Sequence, residues 1–427
     1  MATDVDVQYF SHLNGLVLGN NWGDLIRLLD KALVTGIDFT QITAASIDAQ
    51  GDVHITLYAA HNAMLFQVVE LSGFTPPSLN QKYRIKGVSN TTQLILKPHA
   101  AIVETSVTTV GAGKLASLGY DIIFRDANDV KRVYRAKNPT SEHPFIRVDE
   151  SLTSPDGTTG VYTSNYAKYA MVGLLEHMEH IDDYENPDVL QLPFDPSDPV
   201  KNWKITGTGT SVVRGWNRWY WATDSTNGAY FRHTSNPINS NRGFSLVGDA
   251  DAFYLNVGFN TLTTKAIWGC GLFAECISNP ISKQWFLMAG STGLNVGEFI
   301  QIGYAQGFSA ITISDPACTF SVTPINLTKN TKKAIPIVPD FRSGFSNIYS
   351  ANHVSALQIP FVDSDKCLRG SLKHIYYMGK QVTTSHATPT ISESSMYIIE
   401  NVRHTADPIE PPAALGGGVY FYLGELE

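Results

Sequence analysis

Apolar positions near the N-terminus recur three and four apart. Leu25, Ile26, Leu28, Leu29, Ala32 and Leu33 follow Asn20-Asn21, which offer caps, while Asp24 suits the helix dipole in the first turn and Gly36 stops the run. The spacing predicts one amphipathic helix. Period-two patterns then take over. Ile47 to Leu57 reads as strand, turn, strand, with alternation on Val53, Ile55 and Leu57, and Leu65–Leu71, Tyr83–Val88 and Gln93–Leu96 read as further strands around the turn cluster Phe74–Asn80. Short strands packed this densely predict a small β-barrel or sandwich, and the barrel is the reading adopted.

A third segment starts near Gly111-Ala112-Gly113. Tyr120–Phe124, Lys131–Arg135 and Phe145–Asp149 read as strands, and Tyr166–Met178 reads as a second helix with Ala167, Ala170, Met171, Leu174 and Leu175 on one side. Asn186–Pro199 holds four prolines and reads as a linker. Beyond Val200 helical periodicity disappears. Phe253–Val257, Gln284–Met288, Phe299–Ile302, Ile375–Met378 and Met396–Ile399 read as strands, and Gly416-Gly417-Gly418 feeds a last strand over Val419–Leu423. That pattern fits an antiparallel sandwich. The predicted class is mainly β: an N-terminal arm and helix (1–36), a small β-barrel (37–110), a small α+β segment with linker (111–195) and a C-terminal antiparallel β-sandwich (196–427). No repeat of fixed period is visible.

Length supports several units, since 427 residues far exceed the roughly 150 of an average domain. The net charge is −8 and only 16% of residues are charged, which argues against disorder and against a general nucleic-acid binder. Met1–Asp6 carries acids where a secretory signal has a basic start, and no apolar run approaches a membrane span, so synthesis in a cytosol and no membrane insertion are expected. Cys270, Cys276, Cys318 and Cys367 form no disulfide framework and read as buried free thiols.

Candidate chemistry is sparse. Glu176-His177-Met178-Glu179-His180 places histidines three apart, whereas helical zinc motifs need four, so no metal is expected there and a solvated helix end is the reading. Gly111-Ala112-Gly113-Lys114 lacks the earlier Gly and the following Ser or Thr of a phosphate loop, and Gly243–Gly248 is one residue too long for a nucleophile elbow. The pairs Asp249/Asp251 and Asp363/Asp365 could serve a glycosidase, but acids at this spacing are ordinary in turns. No catalytic residue and no cofactor are assigned. The unusual cluster is aromatic: Trp203, Trp216, Trp219, Tyr220, Trp221, Tyr230 and Phe231 lie close along the chain with Arg214, Arg218 and Arg232. Trp and Arg dominate protein–protein hot spots and Trp stacks on sugars, so Trp203, Arg214, Trp216, Arg218, Trp219 and Trp221 are the candidate interface; strand alternation would alternatively bury half of the set in the core.

Several landmarks resemble, in order, a family of tailed-bacteriophage virion structural proteins. Asn21–Ile37 resembles its opening helix. Ala60–Val69 and Ser72–Asn80 resemble its barrel, with Gln81 in place of the usual Gly. Leu118-Gly119-Tyr120, Val133-Tyr134-Arg135 and Ile146-Arg147-Val148-Asp149 resemble its "Leu-Gly-Trp…Val-Tyr-Arg…Leu-Arg-Val-Asp" segment, and Tyr169–Gly173 resembles the helix that follows. Further on, Val247–Leu255 resembles "Gly-Asp-Gly-x-x-Phe-Tyr-Leu", and Leu368–Leu372 resembles an "Arg-Gly-x-Leu-Pro-Gly" strand, with Lys373 where Pro is common. The stretch Trp203–Arg232 has no counterpart. The resemblance brings no catalytic residues. It implies a structural part of a virion tail, at the baseplate or tail tip, with other tail proteins as partners and copies in threes around the axis. A carbohydrate-binding or polysaccharide-degrading tail protein, touching a host surface glycan, is the alternative. A secreted lectin-like protein fits less well with the acidic start.

Overall fold

The computed structural model describes residues 3–151, 167–206, 213–222, 237, 239–258, 265–277, 283–291, 311, 318–325, 330–338, 356–378, 387–403 and 416–427. The chain is mainly β, as its alternation predicts. It opens with strand β1 (Gln8–Ser11), then helix α1 (Asp24–Leu29), which loosens into a π-wound turn over Asp30–Thr35. The helix thus lies where its apolar spacing put it, but Asn20 and Asn21 do not cap it. The carboxylate of Asp24 accepts the amides of Gly19 (3.1 Å) and Asn21 (3.0 Å), and the first-turn amides of Gly23 and Ile26 go to the buried carboxylate of Glu150. A long-range acid therefore satisfies the helix terminus and meets its dipole. Gly36 ends the winding at φ +73°, where a Cβ would meet the carbonyl oxygen of Leu115 at 2.1 Å.

Seven antiparallel strands follow as an open half-barrel: β2 (Ile37–Asp38), β3 (Ile42–Ile47), β4 (Val53–Leu57), β5 (Val68–Ser72), β6 (Lys82–Asn90), β7 (Gln93–Pro98) and β8 (Ala112–Leu115), ordered β2-β8-β5-β6-β7-β4-β3. Inward positions Val53, Ile55, Leu57, Ile85, Leu94 and Leu96 are buried, as alternation requires. The guanidinium of Arg84, on β6, is buried here without a carboxylate. It donates to the carbonyls of Asp4 (2.6 Å), Val7 (3.0 Å), Phe66 (2.8 Å) and Leu423 (2.8 Å), so one side chain joins the half-barrel to both ends of the chain.

The large antiparallel sheet begins with β9 (Tyr120–Arg125), β10 (Lys131–Ala136), β11 (Phe145–Asp149) and β12 (Lys168–Leu175), which pair in sequence. β12 is the segment whose apolar spacing suggested a second helix over Tyr166–Met178. It is a strand because it is covered on both faces: all eight residues are buried, so no polar alternation marks its period. Gly173 within it leaves room for Trp203, whose ring a Cβ would meet at 2.7 Å. The proline-rich stretch read as a linker carries β13 (Gln191–Leu192), which pairs with β12 and is buried.

Beyond lie β14 (Ile205–Thr206) and β15 (Val213–Arg214), a separate two-stranded pair, then β16 (Asn217–Ala222), β17 (Phe244–Gly248), β18 (Ala252–Gly258), β19 (Lys265–Leu272), β20 (Ala274–Glu275), β21 (Trp285–Ser291) and β22 (Cys318–Val322). β16 joins β12 to β21, and β21 continues through β19, β18 and β17 to β1, so the N-terminal strand closes on the C-terminal half. β23 (Lys332–Pro336), β24 (Leu357–Asp363), β25 (Leu368–Tyr377), β26 (Thr388–Ser392), β27 (Ser395–Arg403) and β28 (Gly416–Glu425) make a curling extension ordered β23-β24-β25-β28-β27-β26, attached through β22–β23. Its inner face packs on β18 and β19. Tyr254 lies at a tilt 5.7 Å from Phe421 and donates to the carbonyl of Lys373 (2.9 Å), and Lys265 pairs with Glu400 at 2.6 Å, both fully buried. The expected strand Phe299–Ile302 lies outside the described residues.

Candidate functional site

Among the described residues, most of the aromatic stretch near Trp203 is interior. Trp203, Arg218, Trp219 and Trp221 are buried within the chain, a placement that leaves them no surface for a neighbour. The cause is coverage on both sides of β16, all six of whose residues are buried. Trp219 donates its indole N–H to the carbonyl of Met288 (2.9 Å), Trp221 meets Trp22 edge-on at 6.0 Å, and Arg218 lies over Tyr169 while donating to Tyr220 and Gly215. Trp203 and Tyr184 lie beneath Arg147, whose guanidinium carbon is 4.3 Å and 4.8 Å from the two rings. Asp149 and Asp182 neutralise that cation at 3.1 Å and 2.6 Å. Trp216 alone of the candidate tryptophans is half-buried, under the ammonium of Lys201. Arg214 belongs to β15, paired with Ile205; its side chain, like Tyr230, Phe231 and Arg232, lies outside the described residues.

The carboxylate pairs are turn anchors. Asp251 accepts from Nε2 of His143 (2.8 Å) and from Nζ of Lys373 (2.5 Å), and these bonds, His143 first, hold its carboxyl far below the usual range despite partial burial. Burial pushes Asp249 up, but His374 at 2.9 Å and the amides of Ala252 and Asp251 outweigh it and keep the acid low. A glycosidase general acid needs the opposite shift. Asp363 is buried, accepts the amides of Asp365 and Cys367 and meets Arg369 at 3.3 Å, while Asp365 faces solvent beside Lys332. His177 and His180 sit exposed in the loop after β12 rather than at a helix end. Ala112–Leu115 is strand β8, and Phe244–Gly248 is strand β17. Cys270 is buried as expected, but Cys276 and Cys367 are exposed.

The outer face of the curling extension carries two further patches. The first is aliphatic. Ile335 on β23 stands opposite Val362 on β24, which stands opposite Leu368 on β25, and the amide of Ile337 donates to the carbonyl of Pro360 (2.8 Å). Ile337 and Leu368 are 50% and 49% exposed.

The second is aromatic. Along β28 the inward Phe421 and Leu423 alternate with the outward Tyr420 and Tyr422. The register aligns Tyr376, Tyr420 and Ile399 across β25, β28 and β27, and Tyr422 with Tyr397 one step along. Tyr397 is 5.4 Å from Tyr422 and 5.6 Å from Tyr420, and Tyr376 is 6.3 Å from Tyr422. Tyr420 forms the floor, and the other three rings are half-buried. Burial and the neighbouring Tyr397 raise the pKa of Tyr376 and Tyr420, so these phenols stay protonated at neutral pH. Tyr422 donates to Glu425, which also accepts from Ser394 and Ser395. The hydroxyls of Tyr376, Tyr397 and Tyr420 have no partner among the described residues. Sequence reasoning passed over this face although its signal, Tyr-Phe-Tyr-Leu on a strand, was present.

No protein-family profile matches the chain, and no curated protein sequence matches it. Among solved structures it is similar to a phage phi92 endosialidase at 9% identity and a TM-score of 0.14; the match covers 92% of this chain and 51% of that one, so this chain spans about half its length. At that TM-score the likeness bears on neither fold nor activity.

Proposed function

We propose that the chain is a non-enzymatic structural component of a phage virion, in the tail baseplate or tail tip, that assembles with neighbouring tail proteins and is present in threes or a multiple of three. The ordered sequence landmarks supply the virion context. The observation that carries the assembly role is the aliphatic row Ile335–Val362–Leu368 with Ile337 beside it, an apolar patch in which Ile335, Ile337 and Leu368 are exposed. Such patches mark protein contacts, and interface cores are depleted of charge. The non-enzymatic part of the reading draws on the acids: Asp251 and Asp363 each have a cationic partner, and Asp249 has His374 at 2.9 Å.

Purified particles test the reading by mass spectrometry and reconstruction. The chain is expected in the particle, in threefold copies about the tail axis, and Ile337→Asp with Leu368→Asp is expected to abolish incorporation of a chain that still melts cooperatively. Absence of the chain from purified particles, or its arrangement in pairs or fives, contradicts it.

A further inference from the structure

We infer that the outward tyrosine face of β25, β28 and β27 is a binding site for a neutral glycan. The row Gln358–Tyr376–Tyr420–Ile399–Thr388 runs across five strands, and Tyr422–Tyr397–Thr390 lies alongside it. Aromatic rings therefore occupy the centre, and Gln and Thr, each able to donate and accept, stand at both ends. A sugar ring presents the same mixture: C–H groups that pack on an aromatic face and hydroxyls at the rim that need partners. The free hydroxyls of Tyr376 and Tyr397 supply partners where stacked sugars would expose theirs.

Charge selects the class of sugar. Among the described residues the ionised groups acting on Tyr422 are both acids, Glu425, already engaged by Ser394, Ser395 and Tyr422, and Asp4, and no Lys or Arg stands in either row. An acidic saccharide would lack a charge-assisted partner here and would meet the like charge of Glu425, so the complementary occupant is uncharged. A protein neighbour fits the adjoining aliphatic row better, because that patch has no unsatisfied hydroxyls to cover. The glycan reading does not depend on the virion reading, since the site belongs to the free chain.

The test uses the full chain with dextran, mannan, galactan and N-acetylglucosamine oligomers as probes and polysialic acid as the charged comparator, read by saturation-transfer NMR and titration. Saturable binding of at least one neutral probe is expected, with polysialic acid not bound. Tyr397→Ala and Tyr422→Ala are expected to weaken it at least tenfold, and Tyr397→Phe, which keeps the ring and the fold, to weaken it severalfold. Failure of every neutral probe, preference for polysialic acid, or binding unaffected by Tyr397→Ala and Tyr397→Phe overturns the inference. So does concentration-dependent self-association of the wild type that these variants abolish, because the occupant is then a second copy.

Discussion

The chain contains two concentrations of aromatic residues, and the fold uses them oppositely. Around Trp203, Trp219 and Trp221 the rings are interior, and the cations among them, Arg147 and Arg218, are interior too. Around Tyr376, Tyr397 and Tyr422 the rings line an outer face. Composition does not separate the sets; the number of covered faces does. β16 is covered on both sides, so alternation spares none of its side chains, whereas on β28 Tyr422 reaches the outer face between the fully buried Phe421 and Leu423, with Tyr420 as the buried floor. Density of Trp and Arg along the sequence therefore marks a polar-lined core here, and the accessible hydrogen-bonding aromatics lie elsewhere.

The largest expected effect lies in the interior. Trp219→Ala should cost about 3–5 kcal/mol of folding stability, by removing a buried ring and leaving a cavity. Denaturant unfolding measures it, and a loss within about 0.5 kcal/mol, the scale of a surface change, would place Trp219 at the surface. Arg147→Met should cost about 3 kcal/mol, because it leaves the buried Asp149 without its cation; a Trp203→Phe background should change that cost if the ring contact matters, which a double-mutant cycle reads.

The turn at Asp251, which joins His143 ahead of β11 to Lys373 on β25, gives an intermediate, pH-dependent effect. A carboxyl held low in the folded state adds stability above its ordinary pKa of about 4 and loses it as pH falls through that value toward the folded one. Stability should therefore decline below about pH 4. Asp251→Asn should be less stable than wild type at neutral pH, and the gap should narrow on acidification; a gap that widens would exclude the His143 and Lys373 bonds as its source. The smallest effect belongs to the outer face. Tyr397→Ala should cost only about 2 kcal/mol, the order of its two aromatic pair contacts, and a loss as large as that of Trp219→Ala would erase the distinction between the two sets.

What the sequence disclosed follows the same rule. The half-barrel was legible from Val53, Ile55 and Leu57 because one face is buried and the other wet. α1 was legible from its apolar stripe, although its cap was not, because Glu150 arrives from a position 124 residues later than Ile26. β12 carried no period to read, and its Ala, Leu and Met positions match a helix equally well. The linker reading failed at Gln191–Leu192 because prolines there flank a short buried strand rather than open chain. The tyrosine face was half legible: Val419–Leu423 reads as a strand, but Tyr420 and Phe421 are both aromatic, and only the pairing with β25 and β27 decides which of them points outward.

Hydroxyl-radical footprinting of the native full chain, read residue by residue by mass spectrometry, tests most directly that the tyrosine set is the accessible one. Oxidation is expected at Tyr376, Tyr397 and Tyr422, with Trp203, Trp219 and Trp221 protected until the chain unfolds. Native-state oxidation of those tryptophans with the tyrosines protected would contradict the account.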